Sequence, residues 1–223
     1  RRDFIKLAVP AVAGATMLSS LPAFASDRNE NLDSSDFLNR PQKFNMSGYA
    51  APKLETVRIA FIGTGNRGSG AVQRMSKIGG VEIKVICDLR PEKANAAFKR
   101  IEASGQKPEL VTGNPEAWKK VCERDDIDLV YIATPWALHA PMAIYAMDHG
   151  KHACTEIPAA TTIEECWQLV ESSERNKKHC MILENCCYDF FELLTLNMAR
   201  QGFFGEIVHA EGAYIHDLLA GDF

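Results

Sequence analysis

The 223-residue chain carries 25 Lys and Arg against 29 Asp and Glu, giving a formal net charge of -4 and a pI of about 5.9. That balance excludes the clustered positive charge on which a nucleic-acid surface or an anionic-membrane patch depends. Hydrophobic residues at 46% and charged residues at 24% are the proportions of a folded globular protein, and the seven cysteines, odd in number and without a Cys-x-x-Cys spacing, read as small apolar residues or free thiols and not as a disulfide frame or a metal site.

The chain begins with Arg1-Arg2-Asp3-Phe4-Ile5-Lys6, a twin-arginine pattern, followed by an apolar stretch from Leu7 to Leu21 and a small-x-small site at Ala23-Phe24-Ala25. Residues 1–25 therefore read as a signal peptide that sends a folded protein to the periplasm or beyond. Pro10, Pro22 and the Ala, Gly and Ser content argue against stable membrane insertion of this stretch. Residues 26–55, rich in Asp, Asn, Ser and Pro, read as a linker or an N-terminal arm.

A different pattern starts at Val57. The run Val57 to Ile62 has the Val, Ile and Phe content of a strand covered on both faces. It leads into Gly63-Thr64-Gly65-Asn66-Arg67-Gly68, a G-x-G-x-x-G turn opening a helix. Gly63 permits the tight turn, Gly65 leaves bare backbone for a pyrophosphate, and Gly68 lets the helix pack close to the strand. A second apolar strand from Val81 ends in Asp88, 20 residues after Gly68, where a carboxylate is placed to accept hydrogen bonds from an adenosine ribose. Its charge favours NAD over a 2'-phosphorylated dinucleotide, although Arg90, two residues on, is placed to reach such a phosphate.

Alternating helices and short apolar runs continue. Helices are expected from about Pro91 to Ser104, from Glu116 to Glu123, from His139 to His149, and from Ile163 to Lys178 with a Thr161/Thr162 cap. Strands are expected at Ile127 to Ala133, around His152 to Glu156, and at Cys180 to Glu184. The pattern is α/β: a Rossmann-type doubly wound parallel sheet over residues 56–186. Ligands sit outside the carboxyl ends of such strands, which gathers Gly63 to Gly68, Asp88, Thr134-Pro135-Trp136, His139, Glu156 and Asn185 to Tyr188 at one crevice. A helix from Phe190 to Gln201, a stop at Gly202 to Gly205, and an extended stretch from Glu206 to Asp217 read as the start of a second α+β domain over residues 187–223, truncated by the end of the chain. Its alternation puts Tyr214 and His216 on one face with Val208.

The order of motifs resembles the Gfo/Idh/MocA oxidoreductase family: the glycine start, Thr134-Pro135-x-x-x-His139, and Glu156-x-Pro158. Three longer strings, Thr155 to Ala160, Glu184 to Asp189 and Gly212 to Asp217, resemble the NAD-dependent α-N-acetylgalactosaminidases of glycoside hydrolase family 109. In sugar dehydrogenases of the superfamily the residue within Glu-x-Pro is a lysine that assists deprotonation of the sugar hydroxyl; here it is Ile157, which carries no proton. The resemblance implies a retaining glycosidase that acts on a small-molecule glycoside, an exception to two-carboxylate hydrolysis. Sugar C3 is oxidised by tightly held NAD, the C2 proton is lost, the C1 group is eliminated, water adds and the hydride returns.

For catalysis the residues expected are Tyr188, at a strand end where it can contact a sugar hydroxyl or move a proton, and His139 and His216. Glu156 is expected at the nicotinamide ribose, and Tyr214 and His216 at the sugar. His139 has an equal claim to a helix-capping or structural role. No metal is expected. The alternatives are a periplasmic NAD(P)-dependent sugar oxidoreductase and a non-catalytic dinucleotide-dependent sugar-binding protein. A family string, Tyr-Pro-Thr-His, does not occur, so the expectation is an inactive N-terminal fragment of a longer protein that forms homo-oligomers through the second-domain sheet.

Overall fold

In a computed structural model, which describes residues 40–213, the chain divides into two compact units, one ending at Leu183 and the next beginning at Glu184. The first is built on a six-stranded sheet with every pair parallel. Its strands are β1 (Val57–Ile62), β2 (Val81–Asp88), β3 (Glu109–Thr112), β4 (Leu129–Ile132), β5 (His152–Thr155) and β6 (Cys180–Ile182). The helices between them are α1 (Asn66–Met75), α2 (Pro91–Lys99), α3 (Ala117–Cys122), α4 (His139–Asp148) and α5 (Ile163–Asn176).

Strand order in space is β3-β2-β1-β4-β5-β6. The chain winds outward from β1 in one direction, then returns to β4 and winds outward in the other. The reversal opens a crevice between the carboxyl ends of β1 and β4, which is where doubly wound sheets take their ligands.

Alternation along each strand divides the core into two layers. Ile59, Phe61 and Tyr131 face one side, packed with Ala71 and Val72 of α1 and Ala94 and Ala97 of α2. Ala60, Ile62, Val130 and Ile132 face the other, packed with Cys122 of α3, Ala143 and Met147 of α4 and Leu169 of α5. Small residues on the helices let them lie close to a sheet whose own side chains are branched or aromatic, which is why the strands read as nearly continuous apolar runs.

Most of the expected elements form, and β3 is the addition. Only four residues long and partly exposed, it is bounded by Pro108 and Gly113 and extends the sheet by pairing with β2 from Val85↔Glu109 to Asp88↔Thr112. The helix expected to run to Ser104 breaks after Lys99; a 3-10 turn over Glu102–Ser104 follows, closed by Gly105 in the left-handed region at φ 77. The cap foreseen for α5 is a full capping box: Thr162 accepts from the Glu165 backbone N–H while the Glu165 side chain reaches back to the cap.

Residues 40–55 make no strand or helix, yet they are docked. The Arg40 guanidinium bonds Glu164 at 2.6 Å and lies 5.9 Å from the Trp167 ring centroid. The Lys43 N–H donates to Glu174, and Tyr49 packs on His179. In the second unit, α6 (Phe190–Arg200) buries none of its residues. Gly202 and Gly205, at φ 72 and 68, terminate it. Residues 206–213 pair with no strand, and Tyr214, His216 and the twin-arginine segment lie outside the described residues. Among the described residues no helix is long and apolar enough to cross a membrane.

Candidate dinucleotide site

The glycine turn is shaped by steric necessity at two of its three glycines. Gly63 has φ +86, and a Cβ there would lie 2.5 Å from the Ala133 carbonyl oxygen; a Cβ on Gly68 would lie 2.0 Å from that of Gly63. Only bare backbone allows the turn to press against the end of β4 and the first turn of α1 to fold back over it. At Gly65, by contrast, a Cβ would meet nothing within 4 Å. The space above Gly65 is open, which is the condition for a ligand to approach its backbone.

The N-terminus of α1 is also left open. Gly65 caps it without a side-chain hydrogen bond, and no acid stands in its first turn. Helix α5 has both a capping side chain and Glu164 and Glu165. The uncapped N–H groups and positive dipole end of α1 therefore point at whatever occupies the crevice, an arrangement suited to phosphate.

Asp88 ends β2 beside this turn. Its Oδ2 accepts from the Thr64 N–H at 2.7 Å and the Thr64 hydroxyl at 3.1 Å, and its Oδ1 accepts from the Arg90 N–H at 2.9 Å. A carboxylate offers about four acceptor positions, so one is left over by these three bonds. Thr64 itself is 1% exposed. The expectation for Asp88 was a ribose contact; the structure shows its carboxylate bracing the glycine turn.

Ladder bonds carried past the strand ends align the loops. Gly63 N–H donates to Cys87 O, Ala133 N–H to Ile62 O, and Glu156 N–H to Ile132 O. They bring the β1, β2, β4 and β5 ends to one edge. There a cleft of about 260 Å³ is lined by Arg67, Ala133, Thr134, Trp136, His139, Glu156 and Ile157. Trp136 is 66% exposed over it, in a 3-10 turn (Trp136–Leu138) that starts after Pro135. Asn66, also exposed, opens α1 beside it.

His139 holds a different position from the one expected of an acid or base. It is 1% exposed, with Nδ1 2.8 Å from the Pro158 carbonyl oxygen and Nε2 2.7 Å from that of Thr134. Both ring nitrogens lie against backbone carbonyl oxygens, so the ring bridges the loop after β4 and the loop after β5 and turns no nitrogen to the cleft. Of the two roles open to it, this geometry is the structural one.

Glu156 is half-buried in the cleft wall, where its Oε1 accepts from the Tyr131 hydroxyl at 3.0 Å. Tyr131 was not singled out by the sequence, because an aromatic inside an apolar strand reads as core. Asn185 and Tyr188 belong to the second unit, where both are exposed, Tyr188 at 74%. Burial pushes the Cys87 and Cys122 thiols up to about 12, which disfavours the thiolate form. Among the described residues no group of His, Cys, Asp and Glu is arranged to hold a metal.

Comparison with known proteins follows the same division. Residues 57–184 match the model of an oxidoreductase family with an NAD-binding Rossmann fold, and residues 188–223 match the C-terminal domain of glycosyl hydrolase 109. A glycosyl hydrolase family 109 protein of Porphyromonas gingivalis is 60% identical over 169 residues, which cover 75% of this chain and 36% of that protein. An α-N-acetylgalactosaminidase of Bacteroides fragilis is 55% identical over 182 residues, 81% of this chain and 43% of the relative. The chain thus spans less than half the length of these relatives. Among solved structures, myo-inositol dehydrogenase from Lactobacillus casei, in complex with NAD(H) and myo-inositol, matches with a TM-score of 0.59 at 23% identity, over 67% of this chain and 43% of that one, a likeness of fold.

Proposed function

Since the chain belongs to the Gfo/Idh/MocA oxidoreductase family and carries a stretch matched by the glycosyl hydrolase 109 C-terminal domain, we propose that the intact protein is an NAD-dependent retaining glycosidase. Its substrate class is the terminal α-N-acetylgalactosaminide. The residues of the first unit fit the dinucleotide: open space at Gly65, an uncapped α1 N-terminus, and a spare acceptor on Asp88. The single observation favouring hydrolysis over net oxidation is Ile157. It lines the cleft beside Glu156 and is 38% exposed, so the position that holds a proton-carrying lysine in the family's sugar dehydrogenases here carries nothing that can accept a proton.

When bound, NAD+ supplies a hydride acceptor at sugar C3 that returns the hydride after cleavage, leaving no net redox change. The chain's own work is positioning. The α1 N-terminus and the Gly65 backbone hold the pyrophosphate, and the Asp88 carboxylate holds the adenosine ribose and repels a 2'-phosphate. Glu156 holds the nicotinamide ribose, and Trp136 shields the cleft from water. By the family resemblance, Tyr188 is assigned contact with a sugar hydroxyl and proton transfer there, Asn185 a cofactor role, and Tyr214 and His216 a sugar-binding role. Support for these roles is the resemblance of the strings that contain them.

The test is turnover of an α-N-acetylgalactosaminide by the intact protein with NAD+ bound or stripped. Hydrolysis that requires NAD+ and accumulates no NADH supports the glycosidase. Stoichiometric consumption of NAD+ would instead identify a sugar oxidoreductase, and sugar binding without turnover a binding protein. We also propose export by the twin-arginine route, supported by Arg1-Arg2 and the run that follows; lysine at both positions should retain the protein in the cytoplasm on cell fractionation. Assembly through the second-domain sheet is proposed on the family resemblance, and light scattering of the intact protein checks it.

A further inference from the structure

Tyr131 is an unusual residue for the middle of a buried parallel strand. It is 6% exposed, and its ring packs on Phe61 with centroids 4.9 Å apart. A buried tyrosine hydroxyl is costly unless it is bonded, and the partner here is a charged side chain of the cleft, not backbone. The register explains how it reaches. Tyr131 lies directly opposite Cys154 in the β4–β5 ladder. Glu156, two residues past Cys154, continues the same face. The diagonal neighbour is within range of a long aromatic side chain, so the hydroxyl runs toward the carboxyl end of the sheet and meets Glu156 Oε1 at 3.0 Å.

We infer that Tyr131 is a positioning residue that holds the Glu156 carboxylate against the nicotinamide ribose, an inference that rests on the dinucleotide reading above. One carboxylate oxygen is bonded from within the sheet, and the residue lines the cleft. The tyrosine serves as a donor throughout, because burial first and the Glu156 charge second push its hydroxyl well above the usual phenol range. Fixing Glu156 from the core removes rotamer freedom before the ligand arrives, so that less is lost on binding.

Tyr131→Phe tests this in the intact protein, because it deletes one oxygen and keeps the ring on Phe61. Affinity is measured by calorimetry for two ligands: NAD+, and ADP, which lacks the nicotinamide ribose. The expected result is an NAD+ affinity weaker by roughly threefold to tenfold, an ADP affinity within about twofold of wild type, and no further loss when Tyr131→Phe is added to Glu156→Gln. Equal weakening toward NAD+ and ADP would show a merely structural role and overturn the inference, as would unchanged NAD+ affinity. Loss in the double variant equal to the sum of the single losses would also overturn it, since the two residues would then act independently. Failure of the wild type to bind either ligand would bring down the dinucleotide reading itself, a pattern distinct from any of these.

Discussion

At the scale of single residues, the site is made of side chains with two tasks. Asp88 ends β2 beside the glycine turn and bonds Thr64 twice; Glu156 lines the cleft and accepts from Tyr131. His139 has both nitrogens against the carbonyls of Thr134 and Pro158. Asp88 was expected at a ligand from its spacing to the glycine turn, and Glu156 from the family resemblance and its place at a strand end, both local patterns. Such patterns did not show what holds them, since Thr64 and Tyr131 reach them across strands. His139→Ala should therefore act first on stability: it leaves a cavity where a fully buried ring stood and removes its hydrogen bonding to backbone. Urea unfolding should register a loss of about 2–4 kcal/mol. A loss under about 0.5 kcal/mol would show that the tie between the two loops carries little.

At the scale of elements, the glycine turn separates folding from binding within six residues. Gly68→Ala puts a Cβ 2.0 Å from the Gly63 carbonyl oxygen, while Gly65→Ala meets nothing within 4 Å, at a φ of -65 that any residue adopts. The first should destabilise the fold by roughly 3 kcal/mol or more as backbone is forced apart. The second should leave the unfolding midpoint within about 2 °C of wild type yet weaken NAD+ binding by tenfold or more, because the methyl takes the space a pyrophosphate would fill. Thermal unfolding and calorimetric titration of the two variants check this. Elements with an apolar run or a cap were legible in advance, α5 with its Thr162 box and β1 and β2 among them. Strand β3 was not: Glu109 to Thr112 has no long apolar run, and it becomes a strand because β2 offers an edge to pair with. Residues 40–55 were likewise legible only as polar and aperiodic, and it is the α5 surface, with Glu164, Glu174 and Trp167, that turns them into a docked arm.

At the scale of the whole molecule, an Arg58–Asp128 ion pair links two strands at the amino edge of the sheet. Asp128, ahead of β4, accepts from the Arg58 N–H and from its guanidinium at 2.9 and 2.6 Å, linking the starts of β1 and β4. The hydrogen bond from Arg58 leads the causes that hold the Asp128 carboxyl below its ordinary value. A carboxyl with a lowered folded pKa binds its proton more readily when unfolded. Its contribution is complete above about pH 4 and is lost as the pH falls through the depressed value. Urea unfolding of wild type between pH 6 and pH 2 should thus be steeper in pH than that of Asp128→Asn, and matching slopes would show that the pair does not stabilise the sheet.

The sequence by itself determined what depends on near neighbours: strands from apolar runs, helices from caps, the turn from the glycine spacing, and the family from strings of adjacent residues. Tertiary structure decided what depends on residues far apart. Strand order set the reversal between β1 and β4 that opens the cleft. Register put Tyr131 beneath Glu156, and the meeting of two loops enclosed His139. Periodicity records which face of an element is apolar, but it carries no information about which other element will cover that face or which buried hydroxyl will find a carboxylate there.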